Sequence, residues 1–498
     1  MESLHSSRKA LAEGRTELAA DTIAAISTAP GRGAIAVVRL SGPESVEIVD
    51  KLFGGKDTLA RTRSHSARHG KLADCSGRPL DEVLVTVMRA PDTYTGEDVV
   101  EISCHGGMLV SQLVLQALLE AGCRIAEPGE FTRRAFLNGR IDLTQAEAVA
   151  ELVAAKTRKA AERALRQLDG GLSERIRAVR ASVVGVLAEV EARIDFPDDV
   201  PEDLKTGALC ATLNDCASSL EDILAERATS AILSAGARIP IIGRPNVGKS
   251  SLFNAIVGRS RVIVSPRPGT TRDTVEEEIE LEGIPVRFVD TAGLRGASEG
   301  VEEEGVRRTM GEIRLADLVL LVLDASDGTR VHVESAYLND VELLKSIDEK
   351  PCLVAINKID IASPVAARSA LEAYKREARS RAVCPGEDSA GKNKGQIAEV
   401  SATVGTGISS LKEIIASRLM TADYDLVDSA CASQRHVNSL RSAVENIQSA
   451  RDALESRTSE ELVAFELRGA AEELGSITGE RIGPDVLDSI FSRFCVGK

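Results

Sequence analysis

The run Gly243-Arg-Pro-Asn-Val-Gly-Lys-Ser250 constrains this chain more than any other. The apolar stretch Ile239–Ile242 precedes it and a helical pattern follows. Glycines between a strand and a helix let successive backbone N–H groups turn toward phosphate oxygens, and the helix N-terminus adds partial positive charge. Lys249 would reach the β- and γ-phosphates, and the Ser250 hydroxyl would hold Mg²⁺. The competing reading is a plain glycine-rich turn, and the surroundings argue against it. From Ala237 to about Arg418, strand-like runs (Ile239–Ile242, Val286–Val289, Leu318–Leu323, Leu353–Ile356) alternate with helical patterns, which marks an α/β domain with a largely parallel sheet.

Four more elements follow the phosphate loop in order. Gly269-Thr-Thr-Arg-Asp273 supplies a threonine for the metal, Thr271. Asp290-Thr-Ala-Gly293 ends a strand, where an acid can reach Mg²⁺ through water and Gly293 can approach the γ-phosphate. Asn357-Lys-Ile-Asp360 ends another; an Asp that accepts two N–H bonds from guanine selects GTP over ATP. Ser401-Ala402 stands where a backbone amide meets guanine O6. Together the five resemble the GTPase family of P-loop proteins. The resemblance implies GTP contacts from Asn246, Val247, Gly248, Lys249, Ser250 and Ser251, and from Ser265, Pro266, Arg267, Pro268, Gly269, Thr270 and Thr271. Asp290, Thr291, Ala292, Gly293, Asn357, Lys358, Asp360, Ser401 and Ala402 complete the set. Leu294 stands where Ras-like members carry a water-orienting Gln, so another group must position the water. Glu299, Glu302, Glu303 and Glu304 lie just beyond, as a hydrolytic group or as a solvated helix start.

A chain of 498 residues exceeds one core, and about 150 residues per domain implies three or four units. With 61 Lys and Arg against 76 Asp and Glu the net charge is −15, so any RNA contact must be local. Aromatics at 3%, with no Trp, argue against a base-stacking platform. Apolar runs are strand-sized, far short of the roughly 20 residues that cross a bilayer, and the first 20 residues lack the pattern of a leader. Nine cysteines without a Cys-x-x-Cys pair read as reduced thiols. A cytoplasmic protein is expected. Asp21 to about Asn138 reads as a small α+β unit, with strands at Ala34–Leu40, Glu82–Met88 and Asp98–Cys104 and a helix over Gly107–Gly122 that uses Leu109, Leu113, Leu118 and Leu119. Long helices are expected from Leu143 to Glu191, on to about Ser234, then from Arg435 to Leu474 and Asp485 to Phe494. The α/β domain is thus inserted into a helical one, and Val383–Gln396 reads as a polar surface insertion.

The flanks narrow the resemblance. Pro30-Gly-Arg-Gly33, Val38-Arg-Leu-Ser-Gly42, Tyr94-Thr-Gly-Glu-Asp98, His105-Gly-Gly107, Pro128-Gly-Glu-Phe131, Arg134-Ala-Phe-Leu-Asn138, Asp142-Leu-Thr-Gln-Ala-Glu-Ala148, Ile194-Asp-Phe-Pro197 and Phe494-Cys-Val-Gly-Lys498 resemble the tRNA-modification GTPase family MnmE, also called TrmE, from Asp21 to the last residue. That resemblance implies an extension over 1–20, a folate-binding and dimerisation domain over 21–140, a helical domain split into 141–234 and 421–498, and a GTPase domain over 235–420. It implies a homodimer working with an FAD-dependent partner of the MnmG (GidA) type. Their expected reaction adds an aminomethyl or carboxymethylaminomethyl group to C5 of the wobble uridine, position 34, of certain tRNAs. The one-carbon unit comes from tetrahydrofolate in its 5-formyl or 5,10-methylene form. Folate contacts carry over to Arg39, Glu101, Arg140 and Lys498, K⁺ ligands to Asn246, Ser265, Arg267 and Thr270, and the hydrolytic acid to Glu302, beside Lys249.

Cys495 reads either as packing at the end of an apolar helix or as a thiol nucleophile for the one-carbon chemistry. Lys156, Lys159, Arg163 and Arg166 share a helix face, a solvated face or a tRNA-phosphate stripe. Two rival classes predict features not evident in the sequence: a ribosome-assembly GTPase calls for an appended KH-type domain, and a dynamin-like membrane GTPase for a basic amphipathic tip.

Overall fold

The computed structural model describes residues 21–55, 58–195, 206–225, 232–233, 236–243, 246–258, 261–262, 276–290, 310–326, 351–362, 397–419, 433–456, 458–480, 482–492 and 494–497. They divide into two compact units. One takes the chain up to Val153, Leu165–Leu224 and everything from Gln434; the other takes Ala154–Ala164 and Ala225–Ser433.

The first unit opens with β1 (Ile23–Ile26), β2 (Ile35–Ser41), α1 (Ser45–Leu52), β3 (Phe53–Gly54), β4 (Ser66–Ala73), β5 (Pro79–Met88), β6 (Val99–His105), α2 (Met108–Glu120), β7 (Arg124–Ile125) and α3 (Glu130–Leu137). The strands form one sheet in the order β3-β4-β5-β6-β2-β1-β7, antiparallel except for β1 with β7. Alternation sets its two faces. Ala36, Val38 and Leu40 of β2 and Val83, Val85 and Val87 of β5 enter the core with Val114, Ala117 and Leu118 of α2. Arg39, between two core positions, therefore points to the open face. In α2 only half of the expected face is buried: Leu109 and Leu113 are exposed, while Leu118 packs inward with Ser111, Val114 and Ala117, and Leu119 lies against the same core. This helix is apolar nearly all round, so leucine spacing alone does not select its inner face.

The helical stretch expected over Leu143–Glu191 is three helices, α4 (Leu143–Ala154), α5 (Arg158–Leu168) and α6 (Gly171–Asp195), followed by α7 (Thr206–Ala225). Gly170 makes one break by taking φ +97°, which a side-chain-bearing residue adopts only with strain. At the other, the Thr157 hydroxyl accepts the Ala160 amide at 3.3 Å.

The second unit holds β8 (Ala237–Ile242), α8 (Lys249–Val257), β9 (Arg261–Val262), β10 (Glu276–Leu281), β11 (Ile284–Asp290), β12 (Val319–Asp324), β13 (Cys352–Asn357), β14 (Ile397–Glu399) and α9 (Ile408–Leu419). Sheet order is β14-β13-β12-β8-β11-β10-β9, parallel from β14 to β11 and antiparallel beyond. Ile239, Ile241, Phe288, Leu320 and Leu353 share a core with α8 and α9. Strands covered on both faces read as continuous apolar runs, which is why these match the expected positions closely.

The chain then returns to the first unit with α10 (Gln434–Glu455), α11 (Glu460–Thr478) and α12 (Pro484–Phe491). The single helix expected from Arg435 to Leu474 is two, broken in a polar stretch where the Ser456 and Thr458 hydroxyls bond at 2.6 Å. Leu172, Ile176, Val179, Val183, Val186 and Val190 form a stripe on α6, and α6 packs on α11, which packs on α10. On α10, Gln448 donates to Glu221 of α7 at 3.1 Å and Arg451 to Asn214 at 2.8 Å. The last helix stops at Phe491, short of the expected Phe494.

Candidate active site

The phosphate loop is shaped by three left-handed or near-left-handed backbone positions. Gly243 has φ +151°, and a Cβ there would lie 2.5 Å from the Val322 carbonyl. Asn246 takes φ +65° and Gly248 φ +94°. A Cβ on Gly248 would overlap the Asn357 carboxamide. Gly248 is the N-cap of α8, so Lys249 and Ser250 open the helix and its first-turn amides surround the loop. The Lys249 ammonium, buried with the side chain 6% exposed, donates to the Gly243 carbonyl at 2.8 Å. It lies across the loop, where phosphate charge would accumulate.

One buried residue ties the base side to this loop. The Asn357 amide donates to the Val247 carbonyl at 2.9 Å, and its oxygen accepts the Ala402 N–H at 3.0 Å. The amide expected to meet guanine O6 is thus bonded to Asn357, and guanine would share or replace that bond. Lys358, at φ +66°, pairs with Asp324 at 2.6 Å. Burial alone would raise the Asp324 carboxyl; hydrogen bonds from Lys358 and Ser326 outweigh it and hold it below its ordinary value. Asp360 is exposed, and Ser401 is buried with its Oγ accepting the Val404 N–H at 3.2 Å. Asp324 belongs to none of the five sequence elements; its only signal is an acid closing the apolar run Leu318–Leu323.

Gly243, Asp324 and Asn357 all lie at the carboxyl ends of neighbouring parallel strands, where open α/β sheets bind ligands. Asp290 ends β11 in register with Ile241 of β8, which brings its backbone to that edge. Ser251 is exposed on α8. Ser265, Pro266, Arg267, Pro268, Gly269, Thr270, Thr271, Thr291, Ala292, Gly293, Leu294 and Glu302 lie outside the described residues, as does the Val383–Gln396 stretch.

The first unit gathers a separate group. Arg39 and Glu101 are cross-strand partners on β2 and β6, paired at 2.7 Å, and the guanidinium lies 5.8 Å from the ring centres of Tyr94 and Phe131. The loop that carries Tyr94 also carries Gly96, where a Cβ would sit 3.3 Å from Cγ of the exposed Arg140. Beneath lies a network whose members Glu97, Glu130 and Arg134 stand in the quoted motifs but whose pairing no single motif states: buried Arg134 pairs with Asp21 at 2.6 Å, Glu97 at 3.2 Å and Glu130 at 3.0 Å. Burial pushes the Glu130 carboxyl up, but bonds from Arg124, the Glu127 amide and Arg134 hold it below its usual value. In a sequence, such a cluster looks like scattered surface charge.

The end of the chain packs on the same unit. Phe491 and Phe494, with centroids 5.5 Å apart, pack with Phe136, Leu137, Leu143 and Val149 of α3 and α4. Val496 bridges Pro128, the Cys495 carbonyl accepts the Gly129 N–H at 3.4 Å, and the Gly497 carbonyl accepts the Ser27 hydroxyl at 3.1 Å. Ser27 follows β1, whose Ala25 stands opposite Arg39. Lys498 lies outside the described residues. The packing reading of Cys495 is corrected: α12 ends before it, and it is exposed. Among the described cysteines only Cys75 shares that exposure, while burial pushes the Cys123 and Cys352 thiols up to about 12.

The basic stripe is also corrected. Lys156 pairs with Glu278 and Arg163 is 2% exposed, so these two cations do not join Lys159 and Arg166 in one free phosphate-binding face.

A glycine-shaped loop at the carboxyl edge of a parallel sheet, a lysine across it and an Asn-Lys-x-Asp loop bonded to it define a P-loop GTPase, which binds GTP with Mg²⁺. The family model described as GTP-binding protein TrmE N-terminus matches residues 22–140, and that of the MnmE helical domain matches 143–495. The tRNA modification GTPase MnmE of Salinibacter ruber is 44% identical over 96% of this chain and 99% of its own. That of Bacillus velezensis is 41% identical over 96% and 100%. The chain belongs to the tRNA modification GTPase MnmE family. Among solved structures, Era of Aquifex aeolicus is 26% identical over 42% of this chain and 65% of its own, with a TM-score of 0.26.

Proposed function

We propose that this protein hydrolyses GTP to drive modification of C5 of the wobble uridine in certain tRNAs, adding an aminomethyl or carboxymethylaminomethyl group together with an FAD-dependent partner of the MnmG type. It acts in the cytoplasm as a homodimer; among the described residues no helix is long and apolar enough to cross a membrane. The observation that carries the reading is the pairing of two sites in one chain. One unit holds the phosphate loop, and the other seats the Cys495–Gly497 tail against Ser27, Pro128 and Gly129, next to the strand that pairs with Arg39.

Each site has its own work. Lys249 and the α8 N-terminus hold the phosphates, Ser250 with Thr271 holds Mg²⁺, and Asp360 selects guanine. Glu302 positions the attacking water, since Leu294 cannot. Asn246, already left-handed, joins Ser265, Arg267 and Thr270 as the K⁺ ligands, and a cation there would offset charge developing between the β- and γ-phosphates. In the other unit, Arg39, Arg140 and Lys498 offer cations to the carboxylates of a folate tail, and Glu101 offers an acceptor to a pterin edge. Among the described residues Arg39 and Glu101 stand together on the open face of the sheet, so both charge types are there to fit tetrahydrofolate. When bound it supplies the one-carbon unit.

Mass spectrometry of tRNA nucleosides from cells lacking the protein tests this reading; a wobble uridine unchanged from the parent strain overturns it. Two expectations concern the hydrolytic step. Glu302→Ala lowers GTP turnover by about 10²-fold while leaving nucleotide affinity nearly intact, and wild-type turnover would move the role to another acid. Steady-state rates in KCl exceed those in NaCl of equal ionic strength, and equal rates would remove K⁺ from the site.

A further inference from the structure

Helix α5 belongs to both units. Its first half, with Ala154–Thr157, clusters with the α/β unit, and Leu165–Leu168 clusters with the helical one. Each half is anchored within its own unit. At the far end the Gln167 side-chain amide donates to the Thr144 carbonyl at 2.9 Å, and Gln145 donates to the Leu168 carbonyl at 2.7 Å. In the link just before α5 begins, the Lys156 ammonium pairs with Glu278 of β10. Glu278 also receives Arg287 of β11 at 2.6 Å, its cross-strand partner. The two cations more than offset the cost of half-burying this carboxyl, which lies below its ordinary value.

Lys159, in the first turn of α5, meets the same hairpin. Glu282 and Gly283 turn the chain between β10 and β11 with φ +50° and +81°. A Cβ on Gly283 would come 2.7 Å from Cδ of Lys159, so the lysine stem lies directly on the turn. Arg158, Lys159, Glu280, Glu282 and Gly283 line one open cleft there. A basic helix start thus meets a hairpin of sequence Glu276-Glu-Glu-Ile-Glu-Leu-Glu282.

What this hairpin connects gives the contact its meaning. Upstream, β10 follows the segment carrying Thr270 and Thr271; downstream, β11 ends at Asp290. Both ends therefore lead into segments assigned to the metal and γ-phosphate. We propose that α5 is the strap by which the nucleotide state of the α/β unit reaches the folate-bearing unit, with Lys156 and Lys159 as its grip on the hairpin. The proposal rests on the reading under Proposed function. Lys156 and Lys159 are positioning residues: they touch neither nucleotide nor folate, and act by making α5 follow the hairpin.

The test uses the full-length protein loaded with GDP or with a non-hydrolysable GTP analogue. Wild-type amide exchange in residues 143–168 differs between the two states. In Lys156→Glu and in Glu278→Ala that difference disappears, GTP turnover stays within about twofold, and tRNA modification in cells falls about tenfold or more, within the usual span of coupling between sites. Lys156→Arg restores all three readouts. The two disruptive variants alter charge in opposite directions, so loss in both separates the strap from a tRNA-binding lysine, for which Glu278→Ala would be harmless. An exchange difference that survives in either variant overturns the strap, as does turnover that falls in step with modification. Because the exchange measurement needs neither tRNA nor folate, it stands apart from failure of the wobble-uridine reading.

Discussion

Gly248→Ala is expected to lower nucleotide affinity by about 10³-fold and to bring GTP turnover close to background. Two independent effects combine. A residue with a side chain at φ +94° is strained by about 1–3 kcal/mol. The new Cβ would also occupy the place of the Asn357 amide, which is buried and cannot retreat. Moving it breaks the bond to the Val247 carbonyl and the bond from the Ala402 amide, and each buried group left unsatisfied costs about 1–3 kcal/mol. The phosphate loop and the base loop are therefore lost through one methyl group. Calorimetric titration of GDP and GTP reads the affinity, and circular dichroism checks that the helices remain. Affinity within tenfold of wild type would show that Asn357 has room to move.

Deleting Cys495–Lys498 has the opposite profile. Folate affinity falls about tenfold or more and tRNA modification is lost, while GTP turnover remains near normal. The tail makes specific contacts to Pro128, Gly129 and Ser27, beside the strand opposite Arg39, and none of these residues belongs to the α/β unit. Gly497→Val is the subtler variant: at φ +93° its Cβ would sit 2.5 Å from the Ile26 carbonyl, so the tail must lift while Phe491 and Phe494 stay packed. Titration with 5-formyl-tetrahydrofolate and a GTPase assay on the same preparations decide the matter. Unchanged folate affinity in both variants removes the tail from the site, and a parallel loss of turnover signals misfolding.

Much of this arrangement is legible in the amino-acid sequence alone. The buried strands of the α/β unit are mostly apolar runs, and the elements that open at Gly243, Asp290 and Asn357 fall at the ends of three of them. Glycine positions carry similar weight, because the positive φ at Gly243 and Gly248 is a local requirement, whereas the close approach of Val322 and Asn357 that also excludes a side chain there is not. Illegible parts depend on distant partners. Arg134 draws on Asp21, Glu97 and Glu130, and nothing local to any of them announces the cluster. Lys156 reads as a solvated or RNA-facing cation because its acid lies in β10, beyond the whole phosphate loop. Cys495 reads as packing only if helical periodicity continues past Phe491, where the chain instead turns back toward Gly129.

The stripe from Leu172 to Val190 on α6 has a further consequence during synthesis. Its covering helix, α11, ends at Thr478, and the Ala225–Ser433 part of the α/β unit is translated between them. At ribosomal speeds of about 5–20 residues per second, the stripe stays without its cover for tens of seconds. The inserted unit, whose strands and helices are all present by Leu419, can complete its core in that interval. The helical unit cannot. Nascent chains stalled between Leu419 and Glu460 will therefore carry every described strand and helix of the GTP-binding module after an apolar helix still open to chaperones.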